Sequence, residues 1–180
     1  MPSALRLARY DGGVTTQALT GTPRRHIALV AHDNKKRELL EWAAYNRATL
    51  AQHELYATGT TGTLLREQLD LEIRCLLSGP LGGDLQIGAQ IAAGSVDLLV
   101  FFWDPLEPQP HDPDVKALLR VAVLWNIAIA CNRTTADMVI SSPLFSGPYQ
   151  IHRPTYRQPD NVHLASTAVD SPHDDALPQP

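Results

Sequence analysis

A few residues in this sequence have the types and the spacing to act on a small anionic substrate. His32-Asp33 is followed shortly by Lys36, and a run of threonine and glycine extends from Thr58 through Gly59, Thr60, Thr61 and Gly62 to Thr63. Ser78-Gly79 opens a glycine-rich stretch that ends in Gly82-Gly83-Asp84, and Asp104-Pro105 leads through a proline-rich loop to His111-Asp112-Pro113-Asp114. Glycines let backbone N–H groups approach an anion, threonine hydroxyls add donors, and a following helix N-terminus carries favourable partial charge. The Thr58–Thr61 run therefore reads either as a phosphate cradle or as a plain strand-to-helix connector. On the first reading Ser78-Gly79 completes the cradle and Lys36 adds a point charge.

Asp84 follows two glycines in the first turn of an expected helix. It reads as a helix cap or as a general base, and the second role carries a tension. A helix N-terminus favours the carboxylate and weakens it as a base, whereas desolvation works the other way. His111 and the nearby Asp104, Asp112 and Asp114 suggest a metal site or a hydrogen-bond donor to a substrate oxygen, with an aspartate fixing the imidazole tautomer. No HxxxH or HExxH stands on a helix, so the expectation is no metal. Neither GxxxxGKS/T, GxGxxG nor a GxSxG elbow occurs, which leaves nucleotide and serine-hydrolase readings without support.

These residues need elements to gather them. Short β-branched or apolar runs occur at 26–32, 54–58, 73–78, 96–103 and 127–132. Helical spacing lies between them: Leu39, Leu40, Ala43, Ala44 and Ala48 in a helix over 35–51, and Ile87, Gln90, Ile91 and Gly94 after Gly83. Val115, Leu118, Leu119, Ala122 and Val123 form a stripe in a helix opened by Asp112 as cap and Pro113 in the first turn. Shorter helices are expected at 62–69 and 135–140. Alternating strands and helices predict an α/β fold, a five-stranded parallel sheet with helices on both faces. Right-handed crossovers then bring every strand's C-terminal end to one edge, where such sheets bind ligands. Each polar cluster above follows a strand.

The bounds agree with an ordinary globular protein. At 180 residues, 44% hydrophobic and 19% charged, the chain has room for one domain with a sizeable core. A net charge of −4 gives no basic footprint for nucleic acid or an anionic membrane. The longest apolar run, Val96–Trp103, is too short to span a bilayer, and Met1–Tyr10 has no signal-peptide h-region, so the expected location is cytoplasmic. Cys75 and Cys131 lack CxxC spacing and read as buried free thiols, in keeping with a reducing compartment. Trp42, Trp103 and Trp125 read as packing residues. The expected organisation is an N-terminal tail over 1–23, one domain over 24–157 and a disordered, Pro- and Asp-rich tail over 158–180.

The strings HIALVAHDNKK, LYATGTTG, LLSGPLGGD, FFWDPLEPQPHDPDVKALLRVAVLWNI and CNRTTAD resemble methylglyoxal synthases in order and spacing, over residues 25 to 145. The resemblance implies a three-layer, doubly wound fold and a carbon–oxygen lyase without a cofactor. Its substrate would be dihydroxyacetone phosphate and its products methylglyoxal and inorganic phosphate. It further implies a homohexamer inhibited by inorganic phosphate. Carried over by position, His32 and Lys36 match substrate-binding residues, Thr58, Gly59, Thr60 and Thr61 the phosphate loop, and Ser78-Gly79 a second contact. Asp84 matches the catalytic base and His111 the histidine at the carbonyl and hydroxyl end of the substrate. Asp114, Asp33 and Asp104 match acids close to the reaction centre.

The similarity fades after Pro148. The family's C-terminal basic residue, which reaches a neighbouring active site, has no aligned counterpart here, leaving Arg153 and Arg157 as candidates for that contact. The same fold serves as a regulatory phospho-ligand-binding module in larger enzymes, including carbamoyl phosphate synthetase. That alternative predicts binding without turnover and does not need both Asp84 and His111. A nucleotide-binding or interaction protein is a third class and rests on fold analogy alone.

Overall fold

The computed structural model describes residues 14–20 and 24–156 of the chain. Nearly all described residues belong to one compact unit, residues 15–155. The C-terminal tail expected over 158–180, and Arg157, lie outside the described residues.

In chain order the elements are β1 (Val14–Thr20), β2 (His26–Ala31), α1 (Lys36–Tyr45), α2 (Arg47–Leu50), β3 (Glu54–Ala57), α3 (Gly59–Leu69), β4 (Ile73–Cys75), α4 (Gly83–Ala92), β5 (Leu98–Phe102), α5 (Asp112–Leu124), β6 (Ala128–Ala130), α6 (Arg133–Ile140), α7 (Pro143–Ser146) and β7 (Gln150–Tyr156). The expected five-stranded parallel sheet is present, in the order β4-β3-β2-β5-β6. Strands alternate their side chains between faces. Ile27, Leu29, Ala31, Leu98, Val100 and Phe102 pack with Leu39, Trp42, Leu65 and Ala136 of α1, α3 and α6. Ala28, Val30, Leu99 and Phe101 pack with Ile87, Ile91, Val115 and Leu118 of α4 and α5. Both strand faces are dry, which is why these strands read as unbroken apolar runs.

The two helical layers follow from chirality. From β2 the chain steps through β3 to β4 with α1 to α3 on one face. It then crosses back past β2 to β5 and on to β6 with α4 and α5 on the other. A right-handed crossover changes face when the direction of winding reverses. The reversal leaves a crevice between the C-terminal ends of β2 and β5, the switch point at which open α/β sheets take ligands.

Several expectations shift in detail. The helix expected over 35–51 breaks at Asn46, whose Nδ2 donates to the Trp42 carbonyl 2.9 Å away and competes with the helical ladder. Its buried face is Leu39, Trp42 and Ala43, while Ala44 and Ala48 are exposed. Trp42 thus belongs to the core, and its Nε1 donates to Asp137 at 2.9 Å. The helix expected from residue 62 begins at Gly59, so the Thr/Gly run is its first turn. Helix α5 takes His111, not Asp112, at its cap position, and no side-chain bond caps it. Residues 14–20, expected in a tail, form β1 and pair with β7 in a separate two-stranded sheet. That pairing joins segments at opposite ends of the described chain, and neither has a periodicity that announces it. Cys75 and Cys131 are free and half-buried, and burial pushes the Cys131 thiol up.

Candidate active site

The pocket at the switch point is lined by His32, Asp33, Thr58, Thr60, Ser78, Gly79, Asp84 and His111, with Val30, Ala31, Pro80 and Gln109. Each strand that ends at this edge near the crevice supplies a piece. His32 directly follows β2, and its N–H extends the pairing with β5 by donating to the Phe102 carbonyl at 3.2 Å. The Asp104 N–H donates to His32 Nδ1 at 3.2 Å. An Nδ1 that accepts a backbone N–H leaves Nε2 as the ring's donor nitrogen. Nε2 is buried and has no hydrogen-bond partner. The ring is held edge-on against Phe101 and His111, at centroid distances of 5.2 and 6.0 Å.

Asp84 sits in the first turn of α4 and is 1% exposed. The cap position is Gly82, with φ 94°, and Asp84 Oδ2 is buried without a partner, so the carboxylate is not spent on capping. The close turn before it requires glycine: a Cβ on Gly83 would stand 2.0 Å from the Leu77 carbonyl oxygen. Burial raises the Asp84 pKa above 3.8, against the pull of His111 and His32, and Asp114 adds to the rise. The tension anticipated between helix terminus and desolvation is thus resolved toward a more basic carboxylate.

His111 Nε2 lies 3.6 Å from Asp84 Oδ2, too long for a hydrogen bond and short enough for both to address one small molecule. Gly79 holds this space open. A Cβ there would stand 2.8 Å from His111 Nε2 and 3.2 Å from Asp84 Oδ2. His111 Nδ1 is buried and also without a partner.

On the opposite side of the pocket, Lys36 Nζ donates to Asp33 Oδ1 at 2.5 Å and to Thr60 Oγ1 at 2.8 Å. It ties the turn after β2 to the first turn of α3 and lowers the Asp33 pKa. Gly59 N–H is already committed to the Leu77 carbonyl, at 3.1 Å. Thr58 Oγ1 donates to Thr61 Oγ1 at 3.4 Å, and Thr61 is buried behind it. The α3 terminus offers an anion the Thr60 side chain, with Lys36 beside it.

Not every expected residue lines the pocket. Lys36, Gly59, Thr61, Asp104 and Asp114 stand behind or beside it. The Asp104 carboxylate faces outward, accepting from Leu106 N–H and Asn34 Nδ2, which holds its pKa low; its contribution to the pocket is its backbone N–H on His32. Asp114 is half-buried and makes no hydrogen bond to the His111 ring, so it does not set that tautomer here. Arg153, a candidate for a contact with a neighbouring site, is occupied at the other edge of the sheet, where its Nη2 donates to Asp97 at 3.2 Å. Gln109 lines the pocket and was not singled out from the sequence, though it stands two residues before His111. Among the described residues, no group of three His, Cys, Asp or Glu side chains is placed to hold a metal ion. None of the helices there is long and apolar enough to cross a membrane.

The chain is similar to known proteins along most of its length. The MGS-like domain family matches residues 38–131. A methylglyoxal synthase of Yersinia enterocolitica is 56% identical over 143 residues, covering 79% of this chain and 93% of its own. One from Yersinia pestis is 55% identical, covering 79% and 92%. The crystal structure of a methylglyoxal synthase from Elizabethkingia anophelis superposes with a TM-score of 0.74 at 46% identity, covering 81% of this chain and 99% of that one.

Proposed function

This chain belongs to the methylglyoxal synthase family, and on that premise we propose that it converts dihydroxyacetone phosphate to methylglyoxal and inorganic phosphate, with Asp84 as the base. The observation that supports the assignment of roles is the buried Asp84 Oδ2, which has no hydrogen-bond partner, with His111 Nε2 at 3.6 Å and His32 lining the same pocket.

The substrate phosphate sits against the first turn of α3, near Lys36 and Thr60, with the carbonyl and hydroxyl end toward Asp84 and His111. Asp84 removes a proton from the hydroxymethyl carbon beside the carbonyl. The C–H electron pair becomes the carbon–carbon double bond, and the carbonyl oxygen takes up the charge as an ene-diolate. His32 and His111 donate toward the developing oxyanion, and His111 moves the proton between the two oxygens. The ene-diolate then collapses, the C–O bond to phosphate breaks with its electron pair on oxygen, and the released enol becomes methylglyoxal. Atoms balance as dihydroxyacetone phosphate to methylglyoxal plus phosphate, and no oxidant enters.

The residues account for the direction of each proton transfer. Burial makes Asp84 a stronger base than an ordinary aspartate. The Asp104 N–H on His32 Nδ1 leaves His32 Nε2 as the donor nitrogen. A homohexamer, inhibition by inorganic phosphate and a cytoplasmic location accompany this reading through the family.

The test is to incubate the purified chain with dihydroxyacetone phosphate and follow methylglyoxal and phosphate together. Equal release of the two, lost in Asp84→Asn, is the expected result. Glyceraldehyde 3-phosphate as product would mean that the phosphate is held in the ene-diolate plane, as an isomerase requires. Tight binding of phosphorylated ligands without turnover would place the chain with the regulatory modules of this fold.

A further inference from the structure

The loop after β5 is fastened across the switch point. Asn34, in the turn after β2, donates from Nδ2 to Asp104 Oδ2 at 3.2 Å and to Glu107 Oε2 at 2.5 Å. Asp104 Oδ1 accepts from Leu106 N–H at 3.0 Å, and the Gln109 carbonyl accepts from Asp112 N–H at 3.1 Å. Residues 104–109 are therefore a strap anchored at both ends and tied in the middle to the facing turn. Of its residues, Gln109 lines the pocket.

From this geometry we propose that Gln109 contacts the hydroxymethyl-ketone end of the substrate, and that Asn34 is a positioning residue that holds the strap presenting it. The proposal rests on the lyase reading above and adds a specificity-determining residue to it. Gln109 stands two residues before His111 in the turn that leads into α5, so it approaches the pocket from the His111 side and not from the phosphate side formed by α3 and Lys36. A carboxamide both donates and accepts, which suits a carbonyl beside a hydroxyl. Being neutral, it neither repels a phosphorylated substrate nor raises Asp84 further.

The placement separates two ligands. Dihydroxyacetone phosphate has both ends and should meet Gln109, whereas inorganic phosphate has only the end held by α3. KM, kcat, calorimetric binding of dihydroxyacetone phosphate and inhibition by inorganic phosphate are to be measured for the full chain and for Gln109→Ala, Asn34→Ala and the double variant. Loss of one neutral hydrogen bond should raise KM and Kd for dihydroxyacetone phosphate about 3- to 10-fold in Gln109→Ala, with kcat and the phosphate inhibition constant within about twofold. Asn34→Ala should act in the same direction and add nothing to Gln109→Ala, because it acts through that residue. Melting midpoints should match the wild type. An unchanged Kd, equal weakening of phosphate, or additive effects of the two substitutions would overturn the proposal. If the wild-type chain binds dihydroxyacetone phosphate but does not turn it over, the lyase reading fails by itself. The selective change in Kd then decides the role of Gln109 separately.

Discussion

The two edges of the sheet carry the same kinds of residue and use them oppositely. At the N-terminal edge, His26 N–H and Nδ1 both donate to Asp97 Oδ2, at 3.0 and 3.1 Å, and Arg153 donates to Asp97 Oδ1. Arg25 is buried there with its guanidinium on the carbonyls of Leu144, Phe145 and Gly147, and its N–H donates to His53 Nδ1. At the C-terminal edge, His32, His111 and Asp84 are also buried or nearly so, yet His32 Nε2, His111 Nδ1 and Asp84 Oδ2 have no partner. His53 and His32 make the contrast plain. Each accepts a backbone N–H at Nδ1 and packs edge-on against a phenylalanine, but His32 also lines the pocket and its buried Nε2 has no hydrogen-bond partner. Buried polar groups are nearly always satisfied, so a cluster that is not marks where a ligand supplies the missing bonds. At the N-terminal edge Arg153 Nε is also buried without a hydrogen-bond partner, on a side chain whose Nη2 is paired with Asp97; what distinguishes the C-terminal edge is that its unsatisfied groups belong to residues lining one pocket.

The sharpest way to test this contrast is Asp84→Asn, which should lower kcat about 10²- to 10⁴-fold. The same change should raise the melting midpoint at pH 8. Burial raises the Asp84 pKa, so the folded protein binds that proton more tightly than the unfolded chain does. Wild-type stability therefore falls as pH rises from 3.8 through the folded value, and the full penalty remains above it. The stability advantage of Asp84→Asn should shrink as pH drops back through that window. A variant that is slower but no more stable would mean that the carboxylate is satisfied in the folded protein. Gly79→Ala tests the emptiness of the pocket. Its Cβ would press on both His111 and Asp84, and kcat/KM should drop by roughly 10- to 100-fold with little change in melting. Activity near wild type would show that the two side chains have room to move apart. At the other edge, Asp97→Asn should leave kcat/KM within about twofold while lowering the melting midpoint by roughly 5–10 °C, the loss expected for a mostly buried ion pair. A large loss of activity there would join the two edges functionally and break the contrast.

Much of this was legible in the sequence, and particular residues show why. The central strands are legible because both faces of each are buried, so Ile27–Ala31 and Leu98–Phe102 need no partner to look like strands, whereas the edge strands β4 and β6 each leave a residue exposed. His32, Thr58, Ser78, Asp84 and His111 were found because each follows a strand, and the crossover rule brings strand ends together. Gln109 was overlooked because a glutamine in a proline-rich loop carries no pattern. Strand β1 falls where the sequence predicts a tail, because its partner, β7, lies at the far end of the described chain.

The sequence by itself determined the layers, the sheet and the edge at which the chemistry collects, since these depend on local periodicity and on the handedness of L-residues. Only the tertiary structure decided what state each group is in. Whether Asp84 is a cap or a base depends on what surrounds Oδ2, and whether His32 donates or accepts depends on a backbone N–H 72 residues away. Arg153 is paired with a carboxylate 56 residues distant. Desolvation and hydrogen-bond partnership are properties of neighbours in space, and no spacing along the chain encodes them.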